Sequence, residues 1–181
     1  MIFSRVWAMP SADTFSCAPI GDFVRKYLHG VSVDPFARNS GLATYTNDLN
    51  PATSAQHHME AVSFLEMLTA KGVRADTLIL DPPYSPRQIT ECYAAVGRAA
   101  SMQDTQASFW TKVREAARPL CQKGTVVLSF GWNSCGIGGA GFVQREILLV
   151  AHGGAHNDTI CVAEEMTQQQ EQMFAGREHV D

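Results

Sequence analysis

The sequence predicts an α/β fold with a mostly parallel central sheet and an antiparallel pair of strands near the C-terminus. Short apolar, β-prone runs alternate with amphipathic helical segments along most of the chain, a pattern typical of strands joined by crossover helices. Several of these runs end at an acidic or amide residue. The last two runs are separated by a short Gly-rich turn at 152–157, which favours an antiparallel pair with one reversed edge on the sheet.

Local patterns place the elements in order. Pro19 suits the first turn of a helix and Gly30 ends it. Only about eight residues separate Asp34 from the next strand, fewer than the dozen of a usual parallel crossover. We therefore expect an irregular connection there and one thinly covered sheet face, which a second subunit or the C-terminal tail would cover. The predicted helices are 19–28, 61–70, 87–99 and 108–120, with a frayed tail at 166–181; the predicted strands are 3–9, 31–33, 43–46, 56–59, 77–80, 125–130, 144–151 and 158–164.

Composition narrows the class of protein. A chain of 181 residues with 45% hydrophobic residues predicts a single domain over 1–181. No apolar stretch reaches the roughly 18 residues that span a bilayer. Five scattered cysteines without a Cys-x-x-Cys pair predict no metal site and a reduced, cytoplasmic compartment. The net charge of −4 argues against nucleic-acid binding by bulk electrostatics. Basic residues nevertheless concentrate at 87–123, where they form either a local basic patch or a solvated helix face.

The tetrapeptide Asp81-Pro82-Pro83-Tyr84 follows the predicted buried strand 77–80. An ordinary turn is one interpretation, since Asp and Pro favour turns. The alternative is a ligand site, because open α/β sheets bind ligands at the carboxyl ends of their strands. Chemistry supports the second. The Asp81 carboxylate and the Pro82 carbonyl suit the two N–H groups of an exocyclic amine, Pro83 restricts the conformation of Pro82, and Tyr84 offers a flat face to a flipped base.

Residues 34–40 are Asp-Pro-Phe-Ala-Arg-Asn-Ser. Together with the tetrapeptide, this stretch resembles the Asp-Pro-Phe-x-Gly-Ser-Gly cofactor loop of amino-methylating DNA methyltransferases. More narrowly, residues 7–164 resemble small adenine-specific methylases of phages and prophages. Arg38 and Asn39 depart from the Gly-Ser of that loop. Arg38 meets a cofactor carboxylate or a phosphate, or it is a structural Arg paired with a nearby acid. The further similar stretches are 9–11 with 14–15, 46–51, 128–134 and 152–158.

The resemblance implies a Rossmann-like class I methyltransferase fold with S-adenosylmethionine as cofactor and no metal. The methionine part of the cofactor would meet Asp34, Phe36 and the Thr14-Phe15 segment. Asp48 would accept the ribose hydroxyls, or is a turn residue. Glu60 would lie near the cofactor adenine, or is an exposed helix acid. The other cofactor-binding candidates are Pro35, Arg38, Asn39, Leu49 and Asp81; the catalytic candidates are Asp81, Pro82, Pro83 and Tyr84; the substrate-binding candidates are Tyr84, Arg87, Trp132 and Asn133.

The implied reaction is methyl transfer from S-adenosylmethionine to N6 of a flipped adenine in DNA. No separate target-recognition domain is predicted, so the target sequence would be short or relaxed. N4 of cytosine in DNA and adenine in RNA remain alternatives, and a catalytically silent nucleic-acid-binding protein is a rival of another class. A homodimer is possible. The polar cluster of His152, His156 and Asp158 has two interpretations: an ordinary turn between strands, or the lip of an active site.

Overall fold

The computed structural model describes residues 1–11, 13–100, 107–133 and 136–168, without the side chains of residues 107 and 108. Two 3₁₀ turns, Thr14–Ser16 and Arg118–Leu120, accompany the regular elements. The helices are α1 (Ala18–Tyr27), α2 (Ala61–Ala70), α3 (Pro86–Ala95) and α4 (Ala107–Ala117). The strands are β1 (Ile2–Trp7), β2 (Ser32–Asp34), β3 (Tyr45–Thr46), β4 (Ala75–Leu80), β5 (Cys121–Gly131), β6 (Phe142–Ala151) and β7 (Thr159–Met166).

Seven strands form one sheet in the order β1-β6-β7-β5-β4-β2-β3. Strand β7 is antiparallel to both its neighbours, and the other described pairings are parallel. The α/β class and the antiparallel C-terminal pair are thereby confirmed. The prediction of a reversed edge is wrong, because β1 pairs in parallel with β6 and leaves β7 inside the sheet.

Helices cover both faces of this sheet, as in a doubly wound, Rossmann-like fold. Side chains of α1, including the buried Ile20, Phe23 and Val24, pack on one face against Ile79 and Phe130; we call it the α1 face. The other face packs α2 and α4 over a core that includes Leu78, Leu80 and Val127. Alternation along a strand therefore fixes which residues point to the α1 face.

Local signals failed at several element boundaries. The strand predicted at 56–59 is a single bridge between Asn47 and His57. Helix α3 ends at Ala95 instead of 99, because Gly97 turns the chain with φ of 71°. Helix α4 gives way at Arg118 to a 3₁₀ turn that contains Pro119. The helix predicted for the tail is contradicted at Met166, which ends β7, and residues 169–181 lie outside the described residues.

The short crossover between β2 and β3 has the predicted irregular form, since residues 35–44 contain no helix. At the other end of the sheet, Phe3 and Trp7 on β1 are each 64% exposed. Coverage by a second subunit or by the tail stays a prediction. No described helix has the length and apolar character of a membrane span.

Candidate functional site

A cavity of about 720 Å³ runs along the carboxyl ends of the parallel strands. Its volume falls within the usual range for small-molecule sites, about 300–1,000 Å³. Most of the predicted site residues line it: Thr14, Pro35, Phe36, Arg38, Asn39, Asp48, Leu49, Glu60, Asp81, Pro82, Pro83, Tyr84 and Trp132. The cavity has two halves on either side of Asp81. The β2 half contains Asp48 and Glu60; the β7 half contains Trp132, His152, His156, Asn157 and Thr159.

Asp81 lies at the middle of the cavity, directly after β4. It follows Ile79 by two residues and so points to the α1 face. The Tyr84 hydroxyl donates to Asp81 Oδ1, and the Thr14 side chain also hydrogen-bonds to Asp81. Burial raises the pKa of Asp81 to about 6, against the lowering effect of the Tyr84 and Thr14 hydrogen bonds and the Arg38 charge. Asp81 is therefore mostly a carboxylate at neutral pH.

Tyr84 joins Asp81 to the β7 half. Its ring meets Trp132 edge-on, with centroids 5.9 Å apart and an interplanar angle of 69°. Burial and the neighbouring Asp81 charge raise the pKa of Tyr84 well above its usual range, which keeps its hydroxyl a proton donor. The backbone N–H of Tyr84 donates to Gln88 Oε1 at 2.6 Å. The tetrapeptide is thus tied directly to α3, where the Ser85 side chain caps the helix and Pro86 begins it.

Asp34 ends β2 on the same face, beneath the cavity. It is fully buried and is not among the cavity-lining residues. Its Oδ1 accepts the Phe36 N–H at 2.9 Å, whereas Oδ2 has no hydrogen-bond partner among the described residues. Burial, with smaller contributions from the Asp81 and Asp48 charges, raises the pKa of Asp34 to about 8, although the Phe36 hydrogen bond opposes this. At neutral pH the Asp34 side chain is therefore mostly protonated, and its Oδ2 is a buried polar atom of the kind that is costly to leave without a partner.

Asp48 and Arg38 form the wall above Asp34. Asp48 Oδ1 accepts the Asn50 N–H at 2.8 Å and Oδ2 accepts the Arg38 N–H at 3.2 Å, so Asp48 organises two loops and keeps further acceptor capacity. Arg38 has a left-handed backbone with φ of 50°, a conformation usually left to Gly. Its guanidinium lies 3.2 Å from Asp13, which supports the structural-Arg interpretation.

Asn47 is a positioning residue that sequence reasoning missed. It is 1% exposed. Its Nδ2 donates to Pro35 O at 3.1 Å and to Met59 O at 2.9 Å, and its Oδ1 accepts the Met59 N–H at 3.1 Å. The side chain therefore ties the loop after β2 to the segment before α2. The only signal in the sequence is an Asn after a strand, which equally predicts a turn.

Glu60 lines the cavity, yet its carboxylate is already engaged by α3 and the segment after it. Tyr93 Oη donates to Glu60 Oε2 at 2.8 Å, and Arg98 approaches Oε1 at 3.0 Å. Glu60 thus connects the start of α2 to α3, whose residues Gln88 and Ile89 also line the cavity. Neither of the two interpretations of Glu60 included this tie.

The structure does not bring every predicted residue to this cavity. Phe15 lines a smaller adjoining cavity and packs edge-on against Phe130 with centroids 5.3 Å apart. Arg87 pairs with Glu91 at 2.8 Å with 86% of its side chain exposed, outside the cavity lining. Asn133 is also exposed and outside the lining. Both residues are close to a motif in the sequence, but nearness along the chain does not fix where a side chain points.

The turn between β6 and β7 lies at the edge of the cavity, which favours the active-site lip over an ordinary turn for this segment. His152, 5% exposed, places Nδ1 at 2.8 Å from Ala8 O and Nε2 at 2.9 Å from Thr159 Oγ1. Its backbone N–H donates to Asp158 Oδ1 at 3.1 Å. Within the described ranges, no three His, Cys, Asp or Glu side chains form a metal-binding group.

Comparison with solved structures gives several distant likenesses. No protein-family model matches the chain, and no curated protein matches it. Hypothetical protein TTHA0928 of Thermus thermophilus has 13% identity and a TM-score of 0.49, over 87% of this chain and 91% of that protein. A SAM-dependent methyltransferase of Agrobacterium tumefaciens has 10% identity and a TM-score of 0.47, over 81% and 59%. SMU.776, a candidate methyltransferase complexed with SAH, has 9% identity and a TM-score of 0.48, over 90% and 44%.

The chain spans less than two thirds of the length of the latter two proteins. All three TM-scores are below 0.5, so the sheet topology identifies the fold and the cavity indicates the chemistry.

Proposed function

We propose that this protein transfers a methyl group from S-adenosylmethionine to the exocyclic N6 amine of adenine in nucleic acid. The sequence resemblance implies DNA. The observation that carries the proposal is the position of Asp81 and Tyr84 at the centre of one cavity, between an acidic half and a half with an aromatic wall.

The β2 half fits the cofactor. S-adenosylmethionine carries an ammonium and a sulfonium, and this half offers the Asp48 carboxylate together with the Glu60 carboxylate, which Tyr93 and Arg98 also contact. Asp34 beneath them is mostly protonated at neutral pH, and a nearby cation would favour its carboxylate form. Asp48 has acceptor capacity left for ribose hydroxyls. Asn47 holds the surrounding loops in place before any ligand arrives. When bound, the cofactor supplies an electrophilic methyl group.

Asp81 and Pro82 supply the acceptors for the substrate amine. Each would accept one N–H, which would draw the nitrogen toward tetrahedral geometry and free its lone pair for the methyl group, whose bond to the cofactor sulfur would break as the new N–C bond forms. Pro83 fixes where the Pro82 carbonyl points. Because Tyr84 already donates to Asp81 Oδ1, the arriving amine shares or displaces that bond. After transfer the nitrogen loses a proton to Asp81 or to water. Positioning and electrostatic preorganisation supply the rate enhancement.

Two alternatives use the same geometry. N4 of cytosine presents an equivalent amine, and adenine in RNA presents the same one on a different sugar. A silent nucleic-acid-binding protein is disfavoured by the bonds that orient and ionise Asp81, since binding alone does not require them.

The test is incubation of the protein with isotopically labelled S-adenosylmethionine and, separately, plasmid DNA and RNA. Digestion to nucleosides and mass spectrometry then identify the product. We expect label in N6-methyladenine of at least one polymer. Cofactor binding by calorimetry without any labelled base would overturn the transferase function, and absence of cofactor binding would overturn the assignment of the β2 half.

A further inference from the structure

The β7 half of the cavity has a fixed hydrogen-bond polarity. His152 Nδ1 faces the carbonyl oxygen of Ala8, a group that can only accept, so Nδ1 carries the ring hydrogen. In the neutral imidazole Nε2 is then an acceptor. The Thr159 hydroxyl, 2.9 Å from Nε2, donates its hydrogen to the ring. Thr159 lines the cavity, and its Oγ1 then has lone pairs but no hydrogen to offer a ligand.

The substrate base cannot use such an oxygen. Adenine has hydrogen-bond donors only on its amine, and its ring nitrogens are acceptors. The proposed reaction uses both amine hydrogens at Asp81 and Pro82. A lone-pair-only oxygen near the ring is therefore repelled by the ring nitrogens. The substrate group that Thr159 suits lies beyond the base and carries an O–H.

The strand register places Thr159 as far from Asp81 as the sugar of a nucleoside lies from its amine. Leu80 pairs with Ser129, and Phe130 pairs with Cys161, so Asp81, Phe130 and Cys161 follow one another across the α1 face. Thr159 lies on that face two residues nearer the open edge. Asp81 and Thr159 are two strands apart, at about 4.8 Å per strand, and two residues apart along the strand, at about 3.4 Å per residue. Their backbones are therefore separated by roughly 12 Å. This is of the order of a nucleoside that spans from its amine to its sugar.

Trp132 completes the subsite. It follows β5 immediately, and continuation of the β5–β7 register past Gly131 and Ile160 brings it level with Thr159. The ring lines the cavity between Asp81 and Thr159 and is 36% exposed. An indole at this point offers a wall against which a base can stack.

We propose that the base of the substrate lies in the β7 half along Trp132, and that Thr159, oriented by His152, accepts a hydrogen bond from the ribose 2′-hydroxyl. That hydroxyl is the group by which a protein distinguishes RNA from DNA at a given nucleotide. The proposal rests on the proposed function and selects the sugar of its substrate: a ribonucleotide is favoured over a deoxyribonucleotide.

The experiment compares two single-stranded oligonucleotides that differ only in the 2′-hydroxyl of one target adenosine. Initial rates give KM and kcat for the wild type, Thr159→Val, Thr159→Ser and the control Thr69→Val, which removes a hydroxyl that bonds within α2. We expect the wild type, Thr159→Ser and Thr69→Val to favour the ribose substrate in KM by about 2- to 12-fold, the range of one hydrogen bond. Thr159→Val should lose that preference without a change in cofactor KM.

Two results overturn the inference: no ribose preference in the wild type, or an unchanged preference in Thr159→Val. Methylation of the deoxyribose substrate in either case leaves the proposed function intact. If neither oligonucleotide is methylated, the proposed function fails, and equilibrium dialysis with adenosine and 2′-deoxyadenosine then decides the subsite. Equal binding of the two nucleosides overturns it, and tighter binding of adenosine that Thr159→Val abolishes supports it.

Discussion

The two halves of the cavity differ in charge and in how the chain builds them. The β2 half has the carboxylates of Asp48 and Glu60 with Asp34 beneath, on loops that Asn47 ties together. The β7 half has an indole and a His152–Thr159 pair at the ends of regular strands. A cationic cofactor and an uncharged base differ in the same way. Under the proposed function, the two halves would separate a cationic cofactor from an uncharged base by charge, with Asp81 at the boundary.

Asp81→Asn is the largest test of that boundary. The amide keeps the shape of the side chain but removes the charge and one acceptor oxygen, so methyl transfer should fall at least 100-fold, the usual effect of losing one preorganised electrostatic contact. Cofactor affinity by calorimetry should stay near the wild-type value, because the β2 half is unchanged. Activity within tenfold of wild type would remove Asp81 from the reaction.

Tyr84 tests the β7 side of the boundary through two variants. Tyr84→Ala removes the ring and should cost about 1–3 kcal/mol in kcat/KM through lost stacking. Tyr84→Phe keeps the ring but removes the hydrogen bond that lowers the Asp81 pKa. Wild-type activity requires the Asp81 carboxylate and should rise with pH through about 6. In Tyr84→Phe the same rise in activity should occur at a higher pH, because the hydrogen bond that lowers the Asp81 pKa is missing. A pH–rate profile measures both, and coincident limbs for Tyr84→Phe and wild type would contradict the role of the hydroxyl.

Asp34→Asn tests the β2 half through the pH dependence of thermal stability. The folded-state pKa of Asp34 is raised to about 8 from 3.8. Its contribution to stability is therefore fully present below about pH 4 and is lost as pH rises through about 8. The Asn side chain does not titrate, so its melting temperature relative to wild type should increase from pH 5 to pH 9, by roughly 2–4 °C per kcal/mol. Thermal unfolding without cofactor measures this. A difference independent of pH would show that Asp34 does not ionise in that range.

Sequence patterns predicted the parts of the fold that depend on neighbours along the chain. Helix α2 has the predicted bounds of 61–70, and β4 leads into Asp81 as expected. In both cases apolar periodicity and an adjacent polar or proline residue are sufficient signals. Most of the site residues that the same reasoning predicted line the cavity, because the lining depends on residues that follow strand ends.

The remainder depends on contacts between distant parts of the chain. Neither the place of β1 beside β6 nor the interior place of β7 follows from local pattern, since strand order is set by packing of the whole sheet. The bond between His152 and Ala8 joins residues 144 positions apart, and Asn47 acts through carbonyls on two separate loops. Arg87 and Asn133 lie outside the cavity lining for the same reason: proximity in sequence does not specify the direction of a side chain.

The reversed course of β7 has a consequence for how this protein can diverge. Because β6 leaves the sheet at the carboxyl edge and β7 re-enters it there, His152, His156 and Asn157 of the connecting loop line the cavity. Insertions or exchanges in this hairpin loop would remodel the surface next to the proposed substrate while every strand keeps its pairing. Relatives with new targets should therefore vary in length here first.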